Sequence, residues 1–338
     1  MEMNHQRKFL VRVDGSKDVG LGHVYNMLTF LNYLECEKIV IVMNKKRNLG
    51  DTKFKKYGYD VKYFSKRKEL ANIIENFQPD IICNDILNST ISYMKFLKQF
   101  GCLVVNFEDL GDGRKIADLV FNPIYYAKKY SKNEFYGEKY ACVREEFRVK
   151  KRKTIRKKVK KIVITFGGTD PTNKTQKILE ILKSSDQKNV ELIVILGLGY
   201  SRRNKIKNLS KKMNNSGFNV KIIERSDNLS QHFKDCDFAI TSNGRTVFEI
   251  AAMKIPMIAI AVNKRERLHS FVRYSKSGFH IDVHSKHDYL QILKKINEMM
   301  SYQTRNKFVK NMNDVDLLNG IERVRDLIYQ KHKENNYQ

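Results

Sequence analysis

The sequence predicts an α/β chain of two domains, each built on a parallel sheet, and three observations carry that prediction. Short apolar runs recur between helix-like stretches, several runs are β-branched and apolar on both faces, and the 338 residues exceed the roughly 100–200 residues typical of one domain. In the first half the runs are FLVRV, KIVIVM, DVKYF, DIICND and CLVVNFED. In the second they are KIVITFGG, ELIVILG, NVKIIE, DFAITSNG and PMIAIAV. Strands covered by helices on both sides need apolar residues on both faces, and alternation with helical stretches marks βαβ units. Sheets of this kind bind ligands beyond the carboxyl ends of their strands, so the turn after each run is where chemistry is expected.

Composition narrows the class. A hydrophobic share of 41%, with 19 Phe and 17 Tyr, is enough for packed interiors. The five cysteines never form C-x-x-C, which argues against a disulfide framework and a zinc site and for a reducing, cytoplasmic setting. No apolar run approaches the roughly 18 residues of a membrane span, and the N-terminus enters a strand directly, so a soluble chain that is not exported is expected. The formal charge of +27 calls for an acidic partner: nucleic acid, an anionic membrane surface or a phosphorylated small molecule. The lysines are spread evenly, as solvated surfaces would have them, and no zinc-finger spacing, RRM-like aromatic motif or basic heptad helix is present, so nucleic acid is the minority reading.

Between Arg148 and Lys161, ten of fourteen residues are Lys or Arg. A block of like charges resists packing into a core, which makes it a natural connector and places the domain boundary at 151, giving domains 1–150 and 151–338. The same block could instead clamp phosphate or anionic lipid headgroups, on the membrane's inner face.

The turns carry the candidate chemistry. After the first run comes D-G-S-K-D-V-G-L-G-H, with Asp14 at its start, Gly22 near its end and His23 opening a helix. Glycine permits close approach to a helix N-terminus, where a histidine either faces a ligand or merely caps. The later turns of this half place Asn84, Asp85, Glu108, Asp109 and Asp112 beyond strand ends. Such carboxylates either bind sugar hydroxyls or cap the next helix. In the second half, Gly167 and Gly168 precede a helix entered through Thr169, Asp170 and Pro171, whose free N–H groups would suit a pyrophosphate. The spacing excludes a P-loop. Ser242, Asn243, Gly244, Arg245 and Thr246 open another helix, with Glu249 about one turn on; small donors, a guanidinium and a carboxylate in that order suit a nucleoside diphosphate and its ribose. His280, His284 and His287 resemble a metal-ligand set, but Ser285 and Asp288 form a capping-box pattern that places these histidines at a corner. His232 is read as a solvated helix position.

Taken together, D-G-S-x-x-V-G-L-G-H, F-G-G-x-D-P-x-N and S-N-G-R-T-V-F-E-I-A resemble the UDP-sugar hydrolases of pseudaminic acid biosynthesis (PseG) and the related spore-coat polysaccharide proteins. The second half also resembles the donor-binding domain of MurG-type N-acetylglucosaminyltransferases. The resemblance implies a glycosyltransferase-B fold, two Rossmann-like domains with parallel sheets facing across a cleft. It implies that His23 is the general base that activates water, with Asp14 a candidate to orient it. Gly22, Gly167, Gly168, the Ile223 and Glu224 backbone, and Ser242 to Thr246 would bind the nucleotide, and Glu249 the ribose. Asp85, Glu108 and Asp109, with Asn263, Arg265, Glu266 and His269 of the N-K-R-E-R-L-H-S-F stretch, would line the sugar pocket. No metal or cofactor is required in that family. The expected activity is release of UDP from a UDP-activated amino-deoxyhexose for a surface glycan. A glycosyltransferase with a glycan or lipid acceptor is the alternative, and a polyanion-binding protein on a degenerate scaffold the non-catalytic one. The sequence departs from the hydrolase pattern at Arg245 and in the longer 263–271 loop.

Overall fold

The computed structural model describes all residues except 1–5, 17–19, 35–36, 149–153, 186–187, 225, 227, 284–287 and 337–338. The chain divides into two compact units, Met1–Cys142 with Asn319–Gln338, and Val143–Leu318. Each is a wholly parallel sheet with helices, as the alternating runs predict.

Unit 1 contains β1 (Lys8–Val13), α1 (Gly22–Leu31), β2 (Lys38–Asn44), α2 (Asp51–Lys56), β3 (Asp60–Phe64), α3 (Arg67–Phe77), β4 (Ile81–Asp85), α4 (Ile91–Lys98), β5 (Leu103–Phe107), β6 (Leu119–Asn122) and β7 (Glu134–Tyr136). The sheet order is β3-β2-β1-β4-β5-β6-β7. Alternate residues of β1 enter different cores: Phe9, Val11 and Val13 pack with Val24, Met27 and Phe30 of α1, while Leu10 packs with Leu70, Ile74, Met94 and Leu97 of α3 and α4. That is the physical reason the run is apolar on both faces.

Unit 2 contains α5 (Glu145–Arg148), β8 (Lys161–Thr165), α6 (Lys174–Lys183), β9 (Glu191–Ile195), α7 (Arg203–Asn215), β10 (Asn219–Ile223), α8 (Ser230–Phe233), β11 (Phe238–Ser242), α9 (Thr246–Ala252), β12 (Met257–Ala261), α10 (Lys264–Leu268), α11 (Phe271–Ser275), β13 (Gly278–Asp282), α12 (Asp288–Met300) and α13 (Tyr302–Asn311). Its sheet order is β10-β9-β8-β11-β12-β13. A core of Ile162, Ile164, Leu192, Val194, Ile178 and Leu182 with Ile206 holds β8 and β9 to α6 and α7. The final helix, α14 (Gly320–Asn336), returns to unit 1, where Ile321, Val324 and Ile328 enter the core beside Phe9.

Two features depart from the sequence reading. A boundary at 151 assigns residues 319–338 to the second domain, whereas α14 packs with the first. The basic run is also not wholly a solvated connector. Residues 149–153 lie outside the described residues, but the next part is pinned to unit 2. The fully buried Arg305 donates to Arg156 O at 2.9 Å and Lys157 O at 3.0 Å. Asp237 accepts from Lys160 N at 2.8 Å, Lys161 N at 3.0 Å and Arg156 Nε at 3.1 Å. Among the described residues, no helix is long and apolar enough to cross a membrane.

Candidate active site

In each sheet the strand order reverses once beside the first strand, between β1 and β4 in unit 1 and between β8 and β11 in unit 2. Ligands bind parallel sheets at such switch points because diverging connections leave a crevice beyond the strand ends. The candidate residues concentrate at both.

In unit 1 the turn after β1 delivers His23 in the first turn of α1, where it is buried at 5% exposure. Its Nδ1 is in hydrogen-bond contact with Oδ1 of Asp85, the last residue of β4. Asn26, one turn along α1, donates to the other carboxylate oxygen at 2.8 Å. A carboxylate only accepts, so Nδ1 carries the proton and the Nε2 lone pair is left to act as a base. Among the described residues the His23 ring makes no other hydrogen bond. This is a His–Asp pair with its carboxylate fixed from a second side, and the aspartate that touches the ring is Asp85 rather than the expected Asp14.

Asp14 is engaged elsewhere: its carboxylate contacts Arg12, and Arg47 donates to it at 3.2 Å. Gly15 beside it serves packing. A Cβ there would lie 2.0 Å from Leu49 O, and the two backbones bond through Gly15 N to Arg47 O at 2.9 Å. Gly22 is the first, exposed residue of α1. Of the other carboxylates read as sugar ligands, Asp85 holds His23, and Asp109 is a structural hub. It accepts from Ser89 N at 2.9 Å, Gly111 N at 2.8 Å and Asn106 Nδ2 at 2.7 Å, besides the Ser89 hydroxyl. Glu108 is buried in left-handed backbone, φ 51°. Asn84 bonds to Asn106 and Tyr93, and Asp112 is exposed.

In unit 2 the turns after β8 and β11 lie side by side: a Cβ on Gly167 would stand 3.8 Å from Ser242 Oγ. Gly167 takes φ 71°, which favours glycine. A third turn, Gly197-Leu198-Gly199 after β9, was missed by the sequence reading. Gly199 N donates to Gly168 O at 2.8 Å, and a Cβ on Gly197 would lie 2.2 Å from Gly167 O. The signal was present as a G-x-G at a strand end. The α6 start differs from expectation: Asp170 accepts from Lys174 N and Thr175 N, both at 2.8 Å, so its own carboxylate occupies N–H groups that the pyrophosphate reading left open. Thr169 and Pro171 therefore precede the helix, which begins at Lys174.

The Ser242–Thr246 turn opens α9, whose N-cap position has no side-chain cap. Behind it, Asn243 is fully buried and organises the 263–271 loop. Its side-chain amide nitrogen lies 2.7 Å from Glu266 O, 3.0 Å from His269 O and 3.1 Å from His280 Nδ1, and its backbone carbonyl accepts from His269 Nδ1 at 2.6 Å. Glu266 accepts from Asn243 N and Val262 N at 3.0 Å each, and Asn263 caps α10. Asn263, Glu266 and His269 thus brace the turn. His280 also contacts Asp282 at 2.9 Å, while His284 and His287 lie outside the described residues, as does Ser285. Among the described residues no three His, Cys, Asp or Glu side chains group to hold a metal. Glu249 accepts from Arg144 Nε at 2.6 Å. Ile223 O accepts from Leu196 N at 2.9 Å, so that carbonyl belongs to the sheet. Hydrogen bonds from Lys207 and Arg203 hold the Glu224 carboxyl below its usual range. His232, read as solvated, contacts Ser226 at 2.9 Å, and burial lowers its pKa.

Comparison with known proteins gives no matching family model. The chain is 32% identical over 276 residues to the uncharacterized protein MJ1062 of Methanocaldococcus jannaschii; the match covers 77% of this chain, which spans 57% of that protein's length. It is 21% identical over 262 residues to the spore coat polysaccharide biosynthesis protein SpsG of Bacillus subtilis, covering 73% of this chain and 75% of SpsG. Among solved structures it is similar to MurG of Acinetobacter baumannii, with TM-score 0.67 and 12% identity over 96% of this chain and 99% of that one. The calicheamicin glycosyltransferase CalG4 superposes with TM-score 0.63 and 12% identity over 98% and 99% of the two chains. The chain accordingly has the glycosyltransferase-B fold, two Rossmann-like units each on its own parallel sheet.

Proposed function

We propose that this chain is a nucleotide-sugar hydrolase in which unit 2 holds the UDP moiety and His23 of unit 1 is the general base. The observation that carries the reading is the His23–Asp85–Asn26 arrangement at a switch point. It leaves the Nε2 lone pair of the imidazole to accept a proton, and a positioned base of this kind contributes about 10² to 10⁴ in rate. Water loses its proton to Nε2 and attacks the anomeric carbon, the glycosidic C–O bond breaks, and its electron pair leaves on the β-phosphate of UDP. The Ser242–Thr246 turn, with Arg245 and the adjoining Gly167–Gly168 turn, would take the diphosphate charge. The Glu249 oxygen not held by Arg144 would take the ribose diol.

The substrate we favour is a UDP-activated amino-deoxyhexose used in the cytoplasm for a surface glycan, a reading supported by the motifs and by similarity to SpsG. Transfer to a glycan or lipid hydroxyl at the inner membrane face would use the same base. Similarity of fold to MurG and CalG4 is what keeps that second reading. UDP release from a panel of UDP-sugars, measured with and without candidate acceptors, separates them. Hydrolysis predicts release at full rate without acceptor, and strict dependence on an acceptor would replace it by transfer.

A further inference from the structure

Asp14 is 2% exposed and sits between two guanidiniums, neither of which the proposed chemistry uses. Arg12, itself 7% exposed, projects from β1 with its guanidinium 4.8 Å from the centre of the Phe64 ring and donates to Val13 O at 3.2 Å. Burying such charges costs several kcal/mol per ion even when they pair. With His23 held by Asp85 instead, the visible consequence of the cluster is that Arg47 is fixed.

Arg47 lies in the turn after β2, the strand beside β1. Its backbone is held by Gly15 N at 2.9 Å, and Gly15 O in turn accepts from Leu49 N at 2.9 Å. Its side chain donates one N–H to Asp14, its one hydrogen bond and ion pair among the described residues, and half of it, 51%, is exposed. A guanidinium carries five N–H donors in a planar fork. Asp14 takes one, so the remainder is presented beyond the carboxyl end of the sheet. Among the described residues, two arginines contact this one aspartate, so the cluster carries one positive charge in excess. Beside it on β4 are Asn84, which accepts from Tyr93 at 3.0 Å, and Asp85, whose carboxylate is engaged by His23 and Asn26. A fixed, half-exposed guanidinium with spare charge suits a planar anion more than sugar hydroxyls, since it can bind a carboxylate or phosphate bidentately.

We propose that Arg47 recognises an anionic group, a carboxylate or phosphate, on the part of the substrate other than the nucleotide, and that Asp14 and Arg12 position it. This rests on the nucleotide-sugar reading above. The group could be borne by the donor sugar or by an acceptor, and calorimetric titration of the full chain distinguishes these. UDP-glucuronate is compared with UDP-glucose, and glucose 1-phosphate with glucose on the UDP-saturated protein. One charged probe is expected to bind about tenfold or more tightly than its neutral counterpart, the scale of one charge-assisted hydrogen bond. Arg47→Ala should abolish that preference with UDP affinity kept within about twofold, Arg47→Lys should keep part of it, and Asp14→Asn should weaken it by releasing Arg47. UDP binding without any charge preference, or a preference intact in Arg47→Ala, would overturn the proposal alone. Failure of UDP itself to bind would overturn the nucleotide-sugar reading and this proposal together.

Discussion

At the scale of single residues, the division of labour between aspartates is what the structure changes most. Asp14 and Asp85 both lie at strand ends, but only Asp85 reaches His23, because β4 is the neighbour of β1 and register pairs Val13 with Asp85. That adjacency depends on the sheet order, which no local pattern specifies. The position of His23 was legible, since it opens a helix after a glycine-rich turn. Its partner lies 62 residues away and was not. If Asp85 sets the tautomer of His23, Asp85→Asn should lower kcat for UDP release by about 10²-fold, within the range of a positioned base, while UDP affinity stays unchanged. An unaltered kcat would show that His23 needs no positioning carboxylate.

At the scale of elements, strands were easier to read than turns. All ten apolar runs form strands. The short β6 and β7, and β13 with its polar His280 and Asp282, carry too little apolar signal to be seen from the sequence. Helix starts were displaced where side chains cap from a distance: Asp170 caps α6 from outside it, so Pro171 falls ahead of the helix rather than in its first turn. Asp170→Ala should cost about 1–2 kcal/mol in chemical denaturation, and a loss near zero would mean the cap is not used. The Gly197-Leu198-Gly199 turn gives a sharper test. Gly197→Ala forces a methyl against the carbonyls of Gly167 and Gly168, at 2.2 and 2.4 Å, and should weaken UDP binding by about tenfold. Unchanged affinity would separate the Gly167–Gly168 turn from the nucleotide.

At the scale of the whole molecule, the two-unit α/β organisation was legible from alternation and length, and the course of the chain's end was not. An amphipathic helix such as α14 states that it has an apolar face but not which core receives it. Stability should respond to alkaline pH through buried phenols. Burial pushes Tyr93 and Tyr200 from 10.0 up to about 12, so the unfolded chain loses these protons first. The associated stability is full below pH 10 and is lost as pH rises from 10 to 12. Tyr200, whose hydroxyl donates to Asn173 at 2.5 Å, should account for on the order of 1–2 kcal/mol of that loss, and Tyr200→Phe should make the decline shallower. A decline of the same slope in the variant would assign it to other groups. The central claim, a nucleotide-sugar enzyme with His23 as its base, is tested most directly by measuring UDP release and UDP binding in parallel for the wild type and His23→Ala. Release should fall by about 10² to 10⁴ in His23→Ala while UDP affinity is retained; normal turnover in that variant, or no UDP binding to either protein, would refute it.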